Sequence, residues 1–153
     1  MTSKFVTNSV SETRALGEKF GSAIKNLDSG IVILMFGDLG TGKTVFVKGV
    51  GESLGVSGVR SPSFTLVNEY ECENHKFLIH ADLYRLENFS QISSLGLEEY
   101  ENDFLFIEWS ERLQSFAERF GENVVRICFE SLSENQRVIE IICENSRLCE
   151  KLS

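Results

Sequence analysis

The segment that most constrains the fold is an apolar run that leads through a glycine-rich loop into a second, largely apolar run. Residues 31–36 read Ile-Val-Ile-Leu-Met-Phe, and residues 45–50 read Val-Phe-Val-Lys-Gly-Val. Between them, residues 37–44 read Gly-Asp-Leu-Gly-Thr-Gly-Lys-Thr and fit the pattern G-x-x-x-x-G-K-[ST] at every position. This order predicts a buried strand that turns through glycines directly into the N-terminus of a helix.

A loop of this kind is suited to holding the phosphates of a nucleotide. The N-terminus of the following helix presents backbone N–H groups and the positive end of its dipole to an anion. Lys43 has the reach for the β- and γ-phosphates, and the Thr44 hydroxyl can ligate Mg²⁺. We therefore predict a nucleotide-binding loop formed by Gly37, Asp38, Leu39, Gly40, Thr41, Gly42, Lys43 and Thr44.

Length and composition indicate an ordinary globular protein. The chain has 153 residues, enough for one core, and we expect residues 1–153 to form a single domain. Fifteen Lys and Arg against 23 Asp and Glu give a formal charge of −8, which disfavours tight binding of nucleic acid by this chain alone. No apolar run approaches the length of a membrane span, and no signal peptide is evident. We expect a cytoplasmic protein that is monomeric when isolated.

The remaining patterns favour an α/β fold of the P-loop NTPase kind, a three-layer sandwich with central parallel strands. Residues 64–71 and 76–82 are strand-like and joined by a short polar connection, which predicts an antiparallel hairpin. Residues 104–107 predict a buried strand, and residues 124–130 and 137–143 predict two antiparallel C-terminal strands. Two helices are predicted in the first third of the chain, one from a cap at Ser9 or Ser11 to about residue 26 and one from the loop to about residue 54. Two more are predicted over residues 90–101 and from Ser110 to about residue 120, and the charged tail over residues 144–153 is predicted to be a frayed helix.

Two carboxylates end apolar runs that lead towards the loop. Asp82 ends the run that begins at Phe77, and Glu108 ends the run that begins at Phe104. Functional side chains in folds of this kind lie at the carboxyl ends of the strands. Hydrolysis of a bound nucleotide needs an acidic group for the metal and a group that orients water. We predict that one of the two carboxylates helps to hold Mg²⁺ and that the other polarises the attacking water. The sequence allows either assignment, and the alternative is two surface carboxylates without a role.

Three further blocks give the chain a specific family resemblance. Residues 61–70 read Ser-Pro-Ser-Phe-Thr-Leu-Val-Asn-Glu-Tyr, residues 80–86 read His-Ala-Asp-Leu-Tyr-Arg-Leu, and residues 107–109 read Ile-Glu-Trp. Together with the loop at residues 37–44, and in the same order, these blocks resemble those of the bacterial TsaE family. That family comprises the small ATPases of tRNA threonylcarbamoyladenosine synthesis.

The resemblance implies an Mg²⁺-dependent ATPase that is slow by itself. It further implies that activity appears when the protein joins the TsaD–TsaB complex, which attaches the threonylcarbamoyl group to adenosine 37 of tRNA, so that tRNA is met only indirectly. By position, the residues that match those the family uses for ATP and metal are Lys43, Thr44, Asp82 and Glu108. Trp109 matches an aromatic residue implicated in coupling at the nucleotide site.

Other polar residues near these blocks have both a functional and a structural interpretation. Thr65 and Ser63 stand where a nucleotide-sensing loop would lie, although loop hydroxyls usually satisfy turns. Arg60 and Arg85 are candidates for an arginine finger or for ion pairs with acidic neighbours. His80 shares a strand face with the carboxylate two residues later, and it either orients that carboxylate or packs in the core.

The leading hypothesis is an ATPase subunit of a tRNA-modifying assembly, and the alternative is a small-molecule kinase of the P-loop class. Such a kinase usually has a mobile lid rich in arginine over the transferring phosphate. The sequence contains no segment with clustered arginines. A GTPase is disfavoured because no Asn-Lys-x-Asp stretch is present to recognise guanine. A nucleotide-gated binding module without useful turnover is disfavoured by the two strand-end carboxylates.

Overall fold

Seven strands form one sheet in the part of the chain that the computed structural model describes, namely residues 1–62, 65–84, 86, 94–109 and 114–152. In chain order the strands are β1 Thr2–Thr7, β2 Ile31–Phe36, β3 Val67–Glu71, β4 Phe77–Asp82, β5 Phe104–Glu108, β6 Val124–Ser131 and β7 Arg137–Cys143. Their order across the sheet is β1-β7-β6-β2-β5-β4-β3.

The centre of the sheet is parallel and its two sides are antiparallel. β2 pairs in parallel with β5 and β6, and β4 pairs in parallel with β5. β3 runs antiparallel to β4, and β7 runs antiparallel to β6. The predicted α/β class, with its parallel centre, its hairpin and its antiparallel C-terminal strands, is therefore confirmed. The parallel centre brings the carboxyl ends of β2, β4 and β5 to one edge, which is where the site forms.

The edge strand β1 was not predicted from the sequence. It pairs antiparallel with β7, from Thr2 opposite Ile142 to Thr7 opposite Arg137. Its side chains alternate between exposed and partly buried positions, with Phe5 packed against the core. Such a strand depends on a partner that is distant in sequence, because six half-exposed residues have little local preference.

Two helices cover one face of the sheet. Helix α1 spans Val10–Ile24, and the Ser9 hydroxyl caps it by accepting the Glu12 N–H at 3.1 Å. Helix α2 spans Lys43–Ser53 and begins directly from the glycine-rich loop. The two helices approach so closely that a Cβ on Gly17 of α1 would lie 2.1 Å from the Phe46 carbonyl oxygen of α2, and a Cβ on Gly49 would lie 2.0 Å from the Arg14 carbonyl oxygen. These two glycines fix the spacing of the helices.

The short helices differ from their sequence-based predictions. Of the helix predicted over residues 90–101, the described part holds a 3₁₀ turn at Leu97–Tyr100, and residues 90–93 lie outside the described residues. Helix α3, Gln114–Ala117, and a 3₁₀ turn at Glu118–Phe120 occupy the second face. Helix α4 spans Ser146–Leu152.

The helix predicted over the C-terminal residues 144–153 is confirmed, but the expectation that it is frayed was wrong for the part that the structure describes. Helix α4 buries Leu148, Cys149 and Leu152 against the core beneath α1, and these apolar side chains hold it in place. No helix in the described residues is long and apolar enough to cross a membrane.

Candidate active site

The glycine-rich loop connects β2 to α2 through three residues with positive φ. Gly37, Gly40 and Gly42 have φ values of 143°, 79° and 98°, which favour glycine. A Cβ on Gly37 would also lie 2.6 Å from the Phe129 carbonyl oxygen. Within the loop, the Thr41 hydroxyl donates to the Asp38 carbonyl at 2.7 Å. The loop thus has the backbone shape that its glycines predict.

Lys43, the first residue of α2, is buried and makes three contacts. Its Nζ donates to the Gly37 carbonyl at 2.5 Å and lies 3.6 Å from Glu108 Oε1. The same Nζ lies 4.6 Å from the centroid of the Trp109 ring, within cation–π range. Only 4% of the Lys43 side chain and 6% of the Glu108 side chain are exposed, so the pair is screened little by solvent.

Asp82 and Glu108 occupy equivalent positions on neighbouring strands. They are register partners at the ends of β4 and β5, and both are buried. Asp82 Oδ1 accepts the Tyr84 backbone N–H at 3.0 Å. Burial raises the pKa of Asp82 above its ordinary value, and the nearby Glu108 charge raises it further, while the Tyr84 N–H and Lys43 oppose the rise. The two strands therefore bring a close pair of carboxylates to the start of α2.

His80 lies behind these carboxylates on β4. Its ring is fully buried, and its Nε2 lies 2.6 Å from Glu108 Oε2. Its Nδ1 is also buried and has no hydrogen-bond partner. Glu108 therefore contacts His80 through one carboxylate oxygen and Lys43 through the other.

Trp109 follows Glu108 and has a backbone conformation that is uncommon for a tryptophan. Its φ is 59°, in the left-handed region. Its ring packs on Tyr84 with the centroids 4.8 Å apart. The indole Nε1 is buried and has no hydrogen-bond partner. Strained backbone and an unpaired buried donor are both features that concentrate at functional positions.

A cleft of about 380 Å³ opens in front of Lys43, Asp82 and Glu108. Thr44 and the exposed Leu39 also line it. The sequence did not identify the opposite wall, which consists of Ser9, Val10, Thr13, Glu134, Asn135 and Arg137. The start of α1 and the turn between β6 and β7 supply these residues.

Arg137 joins this wall to the loop. Its guanidinium donates to the Gly40 carbonyl at 3.2 Å and to the Ser133 carbonyl at 2.8 Å. The only local signal for this wall was the Ser9 helix cap, because tertiary packing brings the start of α1 and the β6–β7 turn to the cleft.

The family follows from the sequence match over this fold and site. The sequence model of the family described as "Threonylcarbamoyl adenosine biosynthesis protein TsaE" matches residues 7–139. This chain belongs to the TsaE family. The predicted family resemblance is therefore confirmed, and the chain has the family's role in tRNA threonylcarbamoyladenosine biosynthesis.

Individual TsaE proteins match over most of their length. The tRNA threonylcarbamoyladenosine biosynthesis protein TsaE of Aquifex aeolicus is 38% identical over 139 residues, which cover 89% of this chain and 92% of that protein. The protein of the same name from Bacillus subtilis is 33% identical over 156 residues, covering 98% and 93%. The crystal structure of Bacillus subtilis YdiB superimposes with a TM-score of 0.75 at 28% identity, covering 99% of this chain and 94% of the other.

Some predicted residues of the TsaE-like blocks lie away from the cleft. Thr65 is exposed, and its hydroxyl donates to Asn68 Oδ1 at 2.5 Å, as in an ordinary turn. Arg60 lines a separate groove with Arg14 and Lys48. The described structure thus brings neither Thr65 nor Arg60 to Lys43. The predictions for Ser63, Arg85 and Ser110 lie outside the described residues.

Proposed function

We propose that this TsaE-family chain binds ATP with Mg²⁺ in the cleft and hydrolyses it, and that it does so as a subunit of the tRNA threonylcarbamoyladenosine machinery acting on the TsaD–TsaB complex. The observation that carries the proposal is the convergence of Lys43, Asp82 and Glu108 at the N-terminus of α2. A cation beside a ring of backbone N–H groups suits the phosphates. Two buried carboxylates next to that cation suit the metal and the attacking water.

Lys43 is the residue that we expect to change partners when ATP binds. In the free protein its charge is balanced by Glu108 and by the Gly37 carbonyl. The β- and γ-phosphates offer stronger, charge-assisted contacts in front of α2. The loop backbone and the positive end of the α2 dipole then hold the remaining phosphate charge.

The residues present fit an Mg²⁺ ion that arrives with the nucleotide. Among the described residues, no group of three His, Cys, Asp or Glu side chains is arranged to hold a metal. Mg²⁺ bound with a nucleotide usually takes one or two protein oxygens and completes its shell with phosphates and water. The Thr44 hydroxyl and one of Asp82 and Glu108 would supply those oxygens. When bound, the ion neutralises charge that develops on the phosphates.

The contacts favour different tasks for the two carboxylates. Glu108 contacts the Lys43 ammonium through one oxygen and His80 Nε2 through the other, and a carboxylate held in this way suits a metal ligand. Burial raises the pKa of Asp82, and a carboxylate with a raised pKa is a better proton acceptor than an ordinary one, which suits orientation of water. We therefore assign Glu108 to the metal and Asp82 to the water.

The opposite wall of the cleft offers contacts for the rest of the nucleotide. Val10 of this wall is an exposed apolar side chain, as is Leu39 of the loop, and Asn135 of the wall adds an amide with both donor and acceptor capacity. Such a mixture suits a purine ring, whose faces are apolar and whose edge carries nitrogen donors and acceptors. Base selectivity is therefore expected to come from the wall that the sequence did not identify.

ATP turnover with and without purified TsaD–TsaB tests the proposal. The variants are Glu108→Ala and the matched control Glu144→Ala, an exposed carboxylate that follows β7. We expect weak turnover by the isolated wild type, clear stimulation by the complex, loss of both in Glu108→Ala, and no change in the control. Chelation of Mg²⁺ by EDTA is expected to abolish turnover.

Three outcomes would contradict the proposal. The first is turnover that the complex does not stimulate, and the second is an active Glu108→Ala variant. The third is phosphate transfer to a metabolite in the absence of the complex, which would favour the kinase instead.

A further inference from the structure

We propose that His80 is a positioning residue that holds the Glu108 carboxylate in a single orientation for the nucleotide site. The inference rests on the proposed ATPase function, and it concerns a residue that is not among those that line the cleft. The buried His80 Nε2 and Glu108 Oε2 form a hydrogen bond that is 2.6 Å long.

The burial of both ring nitrogens selects one tautomer of His80. Glu108 Oε2 is an acceptor, so the nitrogen that faces it must carry the proton. Nδ1 is buried without a partner, and a bare nitrogen costs less there than an N–H left without an acceptor. The tautomer with its proton on Nε2 satisfies both conditions.

The position of His80 on β4 places its ring against the Glu108 carboxylate and restricts the orientation of that carboxylate. In the parallel register His80 lies beside Phe106, and Glu108 lies two residues further along β5 on the same face. Leu78, two residues before His80, is also fully buried on this face. The imidazole is thus held by the core and has little freedom to rotate away from the carboxylate.

When His80 holds one carboxylate oxygen of Glu108, the other oxygen is left to face Lys43 and the nucleotide. With Oε2 accepting from His80, Oε1 faces Lys43 Nζ at 3.6 Å and is the oxygen directed towards the nucleotide. Without the His80 donor, the buried carboxylate is free to turn towards Lys43 with either oxygen. The expected consequence is poorer placement of the catalytic carboxylate with intact phosphate binding.

The tautomer can be observed in the nucleotide-free protein by ¹⁵N NMR of histidine-labelled chain. The chain has only two histidines, and the 91% exposed side chain of His75 provides an internal reference. We expect His80 to give the pattern of the tautomer protonated at Nε2, and His75 to show the averaging of an exposed ring. A His80 ring that is protonated at Nδ1, or averaged like His75, overturns the proposal.

Kinetics of two His80 variants separate positioning from packing. His80→Leu removes the donor, whereas His80→Gln retains an N–H near the position of Nε2. Leu78→Val is the control for disturbed packing on the same strand face. We expect His80→Leu to lower kcat about 10- to 100-fold, the usual effect of losing such a supporting contact, with KM for ATP changed less than about threefold. His80→Gln should recover much of the loss, and Leu78→Val should stay within about twofold of wild type.

The results that would overturn the positioning role of His80 differ from those that would overturn the proposed function. An unchanged kcat in His80→Leu, or a loss that Leu78→Val reproduces and His80→Gln does not repair, overturns the positioning role. If the wild type neither binds nor hydrolyses ATP, the proposed function fails, whereas the NMR result still decides whether His80 holds Glu108 in the free protein.

Discussion

Replacing Lys43 by methionine is expected to destabilise the free protein, and not only to weaken nucleotide binding. Lys43 and Glu108 are both almost fully buried, and each is the nearest opposite charge to the other among their described contacts. Methionine keeps the length and much of the packing of the lysine side chain. It removes the charge, and it leaves Glu108 buried beside Asp82 with His80 as its remaining hydrogen-bond donor.

The size of the effect follows from this burial. Removing one partner of a buried ion pair costs about 3–5 kcal/mol, because the other charge is left in a poorly solvated place. For a domain of about this size, each kcal/mol lowers the midpoint of thermal unfolding by roughly 2–4 °C. We therefore expect Lys43→Met to unfold roughly 6–20 °C below the wild type.

A double-mutant cycle isolates this interaction. Adding Glu108→Gln to Lys43→Met removes the stranded charge and keeps an oxygen that can accept from His80. The double variant should therefore recover most of the lost stability. Lys48→Met, which removes an exposed lysine from the same helix, is the control and should stay within about 0.5 kcal/mol of wild type.

Calorimetric or circular dichroism melts of five proteins in nucleotide-free buffer provide the measurement: the wild type, Lys43→Met, Glu108→Gln, the double variant and the Lys48→Met control. A Lys43→Met variant that unfolds within 2 °C of the wild type would refute the buried pair as a source of stability. A double variant that stays as unstable as Lys43→Met would show that the loss does not pass through Glu108. In both cases the account of Lys43 as a balanced charge in the free protein is wrong.

Three other perturbations test separate features. The raised pKa of Asp82 means that the folded protein binds the proton of this carboxyl more tightly than the unfolded chain does. The contribution of Asp82 to the free energy of unfolding therefore falls as the pH rises from the ordinary carboxyl range through the raised pKa. Asp82→Asn should therefore abolish ATP turnover yet raise the unfolding midpoint at pH 7 by roughly 2–4 °C; a lower midpoint contradicts this reasoning. Gly17→Ala should destabilise by about 1–3 kcal/mol in denaturant melts, despite alanine's better helix propensity, because its Cβ would meet the backbone of α2; a stabilised variant would show that the helices can separate. The fluorescence of Trp109, the single tryptophan, should change when ATP draws Lys43 off its ring; an unchanged spectrum during binding seen by calorimetry would contradict that movement.

The features that could be predicted from the sequence are those with a local signal. The glycines of the loop, with their positive φ, follow from residues 37–44 alone. The buried runs that end at Asp82 and Glu108 identify two carboxyl ends of strands, and parallel pairing then places them side by side. Local order along the chain was sufficient here because neighbouring parallel strands bring their ends to the same edge.

The features that the sequence did not reveal depend on distant pairings. β1 exists through its register with β7, and the pairing of β6 beside β2 brings the β6–β7 turn with Asn135 and Arg137 to the loop. Helix α4 looks polar in sequence, and its three buried side chains are recognised only once α1 and β7 provide a surface. The roles of these residues are set by tertiary contacts that short-range patterns do not encode.

The glycine contacts between α1 and α2 also restrict how the cleft can adapt. Since backbone meets backbone at Gly17 and Gly49, the first helix cannot slide or tilt against the second without a clash, and the two shift as one piece. We therefore expect a larger ligand to displace the turn between β6 and β7, which hydrogen bonds from Arg137 to the Gly40 carbonyl and from Gln136 to Asn8 hold in place. That turn is the part of the cleft wall that we expect to move when ligands of different size bind.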